Sequence, residues 1–196
     1  MSYLYRLDQP DQPELWPRTD PHLKFTLKMH HASRLHFDFL LELDGLLLAW
    51  VLSEELSINP CVRQEAVHAD DQTLDSWLTE GCIPKGQVDA GPELIADYGC
   101  YSPQTTLRTP HSHQVRSQLR MGRLTFRLHG MRYSGTWTLV REGDRWFLQK
   151  HWDEFASERP MPWDRRSVTT GRSLAEIAAT SFRPPRPLVG DAWFLR

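Results

Sequence analysis

Little in this chain supports a covalent or membrane-bound framework. It has three cysteines, Cys61, Cys82 and Cys100, widely spaced and with no CxxC pair. Their odd number and wide spacing fit a reduced compartment better than a disulfide framework. The longest apolar run, LLLAWVL (46–52), is about a third of the length that spans a bilayer. The opening MSYLYRLDQPDQPELW lacks an apolar leader core, so no signal peptide is expected and the location expected is cytoplasmic. There is no phosphate-binding glycine loop and no internal repeat. Disorder is excluded as well, because 40% of the residues are hydrophobic and eight are tryptophan.

Charge of one sign is also missing overall, with a net of −2 across 196 residues. Its distribution is uneven. Residues 1–100 hold 7 Lys/Arg against 17 Asp/Glu, and residues 101–196 hold 16 against 8. Two explanations fit: a basic surface facing nucleic acid, or two oppositely charged lobes that neutralise each other.

What the chain does have is strand patterning. In LHFDFLLEL (35–43), Phe37, Phe39, Leu41 and Leu43 occupy the odd positions, and His36, Asp38, Leu40 and Glu42 the even ones. Alternation at period two marks a half-buried strand whose odd face meets a core. His36 and Asp38 then share the other face, with His30 on the approach. Two imidazoles and a carboxylate on one face form a donor set for a divalent transition ion.

Further strands are expected at 24–29 and 46–52, with Asp44-Gly45 as a hairpin turn between the second and third. EAVHA (65–69) and PELIADYGCYS (92–102) read as strands. GRLTFRLHG, GTWTLVREG and RWFLQKHW form a meander over 122–152. Residues 73–79 read as a helical turn or loop, 101–121 as irregular, and 173–181 as a helix. The architecture expected is mainly β: a small antiparallel β-barrel with one or two short helices. Its divisions are an N-terminal arm (1–22), the barrel (23–156), and a C-terminal tail (157–196) holding the helix and the proline-rich RPPRPLVG. His111 and His113 form an HxH pair, read as a solvated loop rather than a metal site. Of Trp146, Trp152 and Trp163, at most one is expected to stack on unpaired bases, since alternating strand aromatics usually belong to a core.

Several blocks carry a resemblance. HHASRLHFDFLLELDGLLLAW, EAVHADDQTLD, EGCIPKGQVDAG, GRLTFRLHGMRYSGTWTLVR and RWFLQKHWDEFA together resemble, in order, the 3′-phosphoesterase domain of bacterial DNA ligase D. TTGRSLAEIAA resembles the stretch that follows that module. The resemblance implies a barrel with a concave site and manganese-dependent removal of a 3′-phosphate or terminal ribonucleoside from DNA. It places the family's metal ligands on His30, His36 and Asp38, with Mn²⁺ the ion expected. Catalytic roles fall on His36, Asp38 and Gln72. Candidate nucleic-acid contacts are Arg34, Arg127, Arg132 and Lys150. The implied partners are DNA or DNA/RNA 3′ ends, with a separate ligase, polymerase or end-binding protein, and no membrane.

This chain also departs from the family's pattern. The arginine that follows the aspartate by two residues is Leu40 here, the histidine of the family's EDH is Gln72, the tyrosine four residues on is Ser76, and a lysine is Glu54. Leucine cannot replace a guanidinium that grips phosphate oxygens in a fork. Glutamine cannot act as a general acid near neutral pH. Three explanations are compatible with this pattern: other basic residues carry the phosphate, the protein is a degenerate binding module, or the pocket handles a different, less charged ester.

Overall fold

The structure, a computed structural model, describes residues 23–105 and 109–180. Strands β1 (Leu23–His31), β2 (Leu35–Leu43), β3 (Leu46–Leu52) and β4 (Arg63–Thr73) follow one another as antiparallel neighbours. After the short β5 (Gly81–Ile83) come β6 (Gly91–Pro103), β7 (Arg123–Gly130), β8 (Ser134–Glu142) and β9 (Arg145–Lys150). The sheet order is β1-β2-β3-β4-β9-β8-β7-β6, and β6 pairs back onto β1. Eight strands thus close into an antiparallel barrel, as expected, and β5 is appended to β6.

Alternation decides what lies inside. Phe25 and Leu27 of β1, Phe39 and Leu41 of β2, Phe126 and Leu128 of β7, and Leu139 of β8 are all fully buried. Asp44 and Gly45 both take positive φ, 55° and 81°, as a tight hairpin turn whose twist matches the strands requires. At one end of the barrel Asp97 is buried beneath the β7–β8 turn and accepts the backbone N–H groups of Arg132 and Tyr133 at 3.0 and 2.9 Å. Gly130 is required there, because a Cβ would collide with that carboxylate and with the Phe25 ring.

Several local expectations need correction. The stretch 101–121 is not irregular throughout: β6 runs to Pro103, and α1 spans His111–Arg120. Only Val115 and Leu119, one turn apart, dock on the core, so the apolar signal is two residues in a polar sequence. Arg116 anchors α1 to Asp44 with a forked ion pair at 2.5 Å. His111 and His113 therefore stand on a helix rather than a loop. Leu40, on the polar face of β2 by alternation, is also fully buried.

The described part of the C-terminal stretch packs back on the barrel. Val168 donates its N–H to the Ile95 carbonyl, and Ile177 of α2 (Leu174–Ala179) joins the main core. Ser173 and Glu176 form a capping box at the start of α2. The carboxylate of Glu80, 2% exposed, gathers the Ile95 N–H, the hydroxyls of Ser167, Thr169 and Thr170, and the Arg172 guanidinium. The arm 1–22 and the RPPRPLVG segment lie outside the described residues. No helix among the described residues is long and apolar enough to cross a membrane.

Candidate functional site

The register of β1 and β2 assembles the site. His30 pairs with His36, and Lys28 with Asp38. Since Phe25, Leu27 and Met29 point inward, Thr26, Lys28 and His30 face outward, on the same side as His36 and Asp38. His30 thus belongs to a neighbouring strand rather than to the approach of β2. Cross-strand pairing brings the three candidate ligands together, with their donor atoms within 4.8 Å of one another.

His36 Nδ1 lies 3.1 Å from the Arg34 carbonyl. Donating a proton there leaves Nε2 with its lone pair, 3.6 Å from Asp38 Oδ1. His30 Nδ1 lies 3.6 Å from Asp38 Oδ2, while its Nε2 is buried without a hydrogen-bond partner among the described residues. Burial opposes a charge on His30, but the hydrogen bond and charge of Asp38 and the charge of Glu93 outweigh it and raise its pKa. The donor set suits a metal ion, two imidazoles and a carboxylate with both carboxylate–imidazole pairs at 3.6 Å. Donors bound at roughly 2.1 Å stand at most about 4.2 Å apart, so a set spread over 4.8 Å would draw together around an ion. Asp38 and His36 keep an open side, with side chains 14% and 12% exposed.

The surroundings of the trio are less suited to phosphate. Lys28, 2% exposed, gives its ammonium to Glu93 at 3.2 Å. Along β2 the next outward residue is Leu40, which forms a small apolar cluster with Leu47 and Ala49. Ala69, Leu74 and Trp77 cover that cluster, and the Trp77 Nε1–H donates to the Phe25 carbonyl at 2.9 Å. Across the sheet from Asp38 stand Val51 and then Val67, the latter 58% exposed.

The other residues singled out from the sequence lie elsewhere. Gln72 pairs with Leu47, itself opposite Glu42, so it sits four positions along β2 from Asp38. At 3.3 Å per residue that is on the order of 13 Å, so the register does not bring it to the trio. Arg34 is exposed in the β1–β2 turn, where its carbonyl orients His36. Arg127 pairs with Glu154 at 2.6 Å. Arg132 donates to the carbonyls of Ala96 and Arg166 and lies over the Trp163 ring. Lys150 is buried on Asp153 at 2.5 Å. Arg127, Arg132 and Lys150 are thus engaged away from β1 and β2. Lys28 and Glu93 went unmarked in the sequence, although Lys28 stands two residues before His30 and so shares its face.

Comparison with known proteins adds a second line of observation. The model of the DNA Ligase D 3′-phosphoesterase domain matches residues 28–141. The multifunctional non-homologous end joining DNA repair protein LigD of Mycobacterium tuberculosis is 36% identical over 139 residues, 70% of this chain and 17% of that protein. The Pseudomonas aeruginosa LigD is 36% identical over 182 residues, 84% of this chain and 20% of its own. The Mycolicibacterium smegmatis LigD is 31% identical over 168 residues, 85% and 22% respectively. The chain spans about a fifth of the length of these relatives.

Proposed function

The chain belongs to the DNA ligase D 3′-phosphoesterase domain family, and on that premise we propose that it is a divalent-metal-binding module for DNA 3′ ends with weak phosphoester hydrolysis. One observation carries this reading: the trio His30, His36 and Asp38 is intact, while Leu40 beside it is sealed into an apolar cluster. A bound Mn²⁺ or similar ion would polarise a phosphoryl oxygen and acidify a bound water. The chain's own residues do the rest. Asp38 supplies the anionic ligand, and the Arg34 carbonyl holds the His36 ring in its orientation.

Stabilising the charge that builds on the phosphate is the weak step. The Lys28 ammonium is neutralised by Glu93, and neither Leu40 nor Gln72 offers a cation. Each missing electrostatic donor typically costs about 10²–10³-fold in rate. The functional emphasis therefore shifts from turnover to holding an end. A site with less charge near its metal also suits a less charged ester, because Val51 and Val67 line the approach.

Two measurements test this. Calorimetric titration with Mn²⁺ should show one site, weakened at least tenfold by Asp38→Ala and unchanged by His31→Ala. A primer ending in a 3′-phosphate or single ribonucleotide should show little release with Mn²⁺ present. Equal Mn²⁺ affinity in wild type and Asp38→Ala would remove the metal site. Fast release that depends on His36 would overturn the weak-hydrolysis part.

A further inference from the structure

On the far side of the barrel from β1 and β2, strands β4, β9, β8 and β7 lie side by side. Their outer face carries a groove of ≈ 460 Å³, lined among others by Arg63, Arg123, Thr138, Phe147, His151 and Trp152, with no carboxylate in its lining. That volume lies within the range of small-molecule sites, roughly 300–1,000 Å³. The Arg63 guanidinium lies over the Phe147 ring, 4.0 Å from its centroid, while also pairing with Glu142 at 2.6 Å. Arg123 has no carboxylate partner among the described residues, so it leaves an uncompensated positive charge at the groove.

The floor is polar. Thr125 and Thr138 share a hydrogen bond of 2.8 Å, and Thr138 meets His151 Nε2 at 2.6 Å. Burial, then the charges of Lys150 and Arg123, lower the His151 pKa, so its ring is neutral near pH 7 and can donate or accept. Trp152 stands at the mouth, 69% exposed. The other two candidate tryptophans differ: Arg141 covers Trp146 at 5.6 Å, and Arg132 covers Trp163 at 4.6 Å. Trp152 alone of the three presents a large aromatic face to solvent.

We propose that this groove is a second nucleic-acid contact, separate from the metal trio, that takes a nucleotide or two of a single strand. Arg123 and Arg63 meet the phosphate, the hydrogen-bonded Thr138–His151 pair forms the polar floor beneath the strand, and a base stacks on Trp152. A positively charged groove with an exposed aromatic is how proteins hold unpaired strands without reading their sequence. A duplex would keep its bases paired and leave Trp152 unused. The inference goes beyond the metal-site reading and needs no metal, so the two can fail separately.

The test is fluorescence anisotropy of the full chain with a short labelled oligo-dT in EDTA. Wild type should bind, more weakly as salt rises. Arg123→Glu should weaken binding at least tenfold, and Trp152→Ala roughly five- to hundredfold, as expected for loss of one stacked base. His31→Ala, a residue of neither site, should bind as wild type does. Circular dichroism melts check folding, and Arg123→Gln replaces Arg123→Glu if the charge reversal unfolds the chain. Absence of binding in EDTA, or unchanged binding by the Arg123 and Trp152 variants, would overturn the proposal. So would competition by an oligo-glutamate peptide that ignores Trp152, which would assign the groove to an acidic protein instead.

Discussion

Replacing Leu40 by arginine restores the family's charged residue beside Asp38, and the structure predicts that the chain will resist it. Leu40 is fully buried between Leu47, Ala49, Ala69, Leu74 and Trp77. Losing its apolar burial costs about 2 kcal/mol. Forcing the longer side chain into the closed cluster adds about 1–3 kcal/mol of overpacking, and an unpaired buried charge adds more. Opening the cover instead sacrifices the Trp77 hydrogen bond to Phe25, about 1 kcal/mol, together with the contact of Lys24 over the Trp77 ring. By either route Leu40→Arg should destabilise by at least about 3 kcal/mol. At roughly 2–4 °C per kcal/mol for a domain of this size, Tm should fall by about 6–12 °C. Urea unfolding followed by tryptophan fluorescence measures this, with Leu40→Met as a control that should stay within about 1.5 kcal/mol. If Leu40→Arg stays within about 1 kcal/mol of wild type, the cluster is not sealed. If it does destabilise, recovering activity requires trimming Trp77 as well, so that the guanidinium can turn toward the metal ligands.

Other consequences are equally open to measurement. Burial pushes the Asp97 carboxyl up to about 6 despite the backbone N–H groups of Tyr133 and Arg132. The folded state then binds an extra proton between the ordinary value of 3.8 and about 6, so this group lowers stability as pH rises through that window, by about 3 kcal/mol in all. An NMR titration placing Asp97 below 4 would refute this. Glu80 behaves in the opposite sense: burial raises its pKa, but hydrogen bonds from Ser167, Thr170, the Ile95 N–H and Arg172 outweigh it, and the net shift is downward. Its stabilisation is therefore present above about pH 4.5 and lost as pH falls, and limited proteolysis within 157–172 should accelerate under acid. Glu80→Ala should open the same segment at neutral pH at a cost of about 3 kcal/mol, since it removes the acceptor shared by three hydroxyls, the Ile95 N–H and a guanidinium; unchanged protease resistance would sink that reading. Mn²⁺ at about a hundred times its wild-type Kd should stabilise wild type by about 2.7 kcal/mol and Asp38→Ala by no more than about 1.4 kcal/mol in a thermal melt.

Which side chains face the core of β2 was legible from alternation, because the two faces of a strand differ at every step and a slip of one residue would bury the wrong set. Phe37, Phe39, Leu41 and Leu43 are all buried as that pattern requires. The Asp44-Gly45 turn and the final meander were legible for the same local reason: turn chemistry and period-two patterning need no distant partner. Helix α1 was not, since its two docking residues gain their apolar environment only from the barrel beneath them. Leu40 shows the limit most clearly. Its place on the polar face is a local fact, but its burial depends on Leu74 and Trp77, more than thirty positions away, folding over the sheet. The same holds at the ligand trio. The sequence by itself named His30, His36 and Asp38, but only the β1–β2 register set His30 opposite His36, and only the closure of β6 onto β1 brought Glu93 to neutralise Lys28. The groove on the far face depends on tertiary structure in the same way, because Arg63, Arg123 and Trp152 come from separate parts of the chain. Local residue chemistry fixed which groups could act, and the pairing of distant strands decided which of them meet, which are neutralised and which remain free.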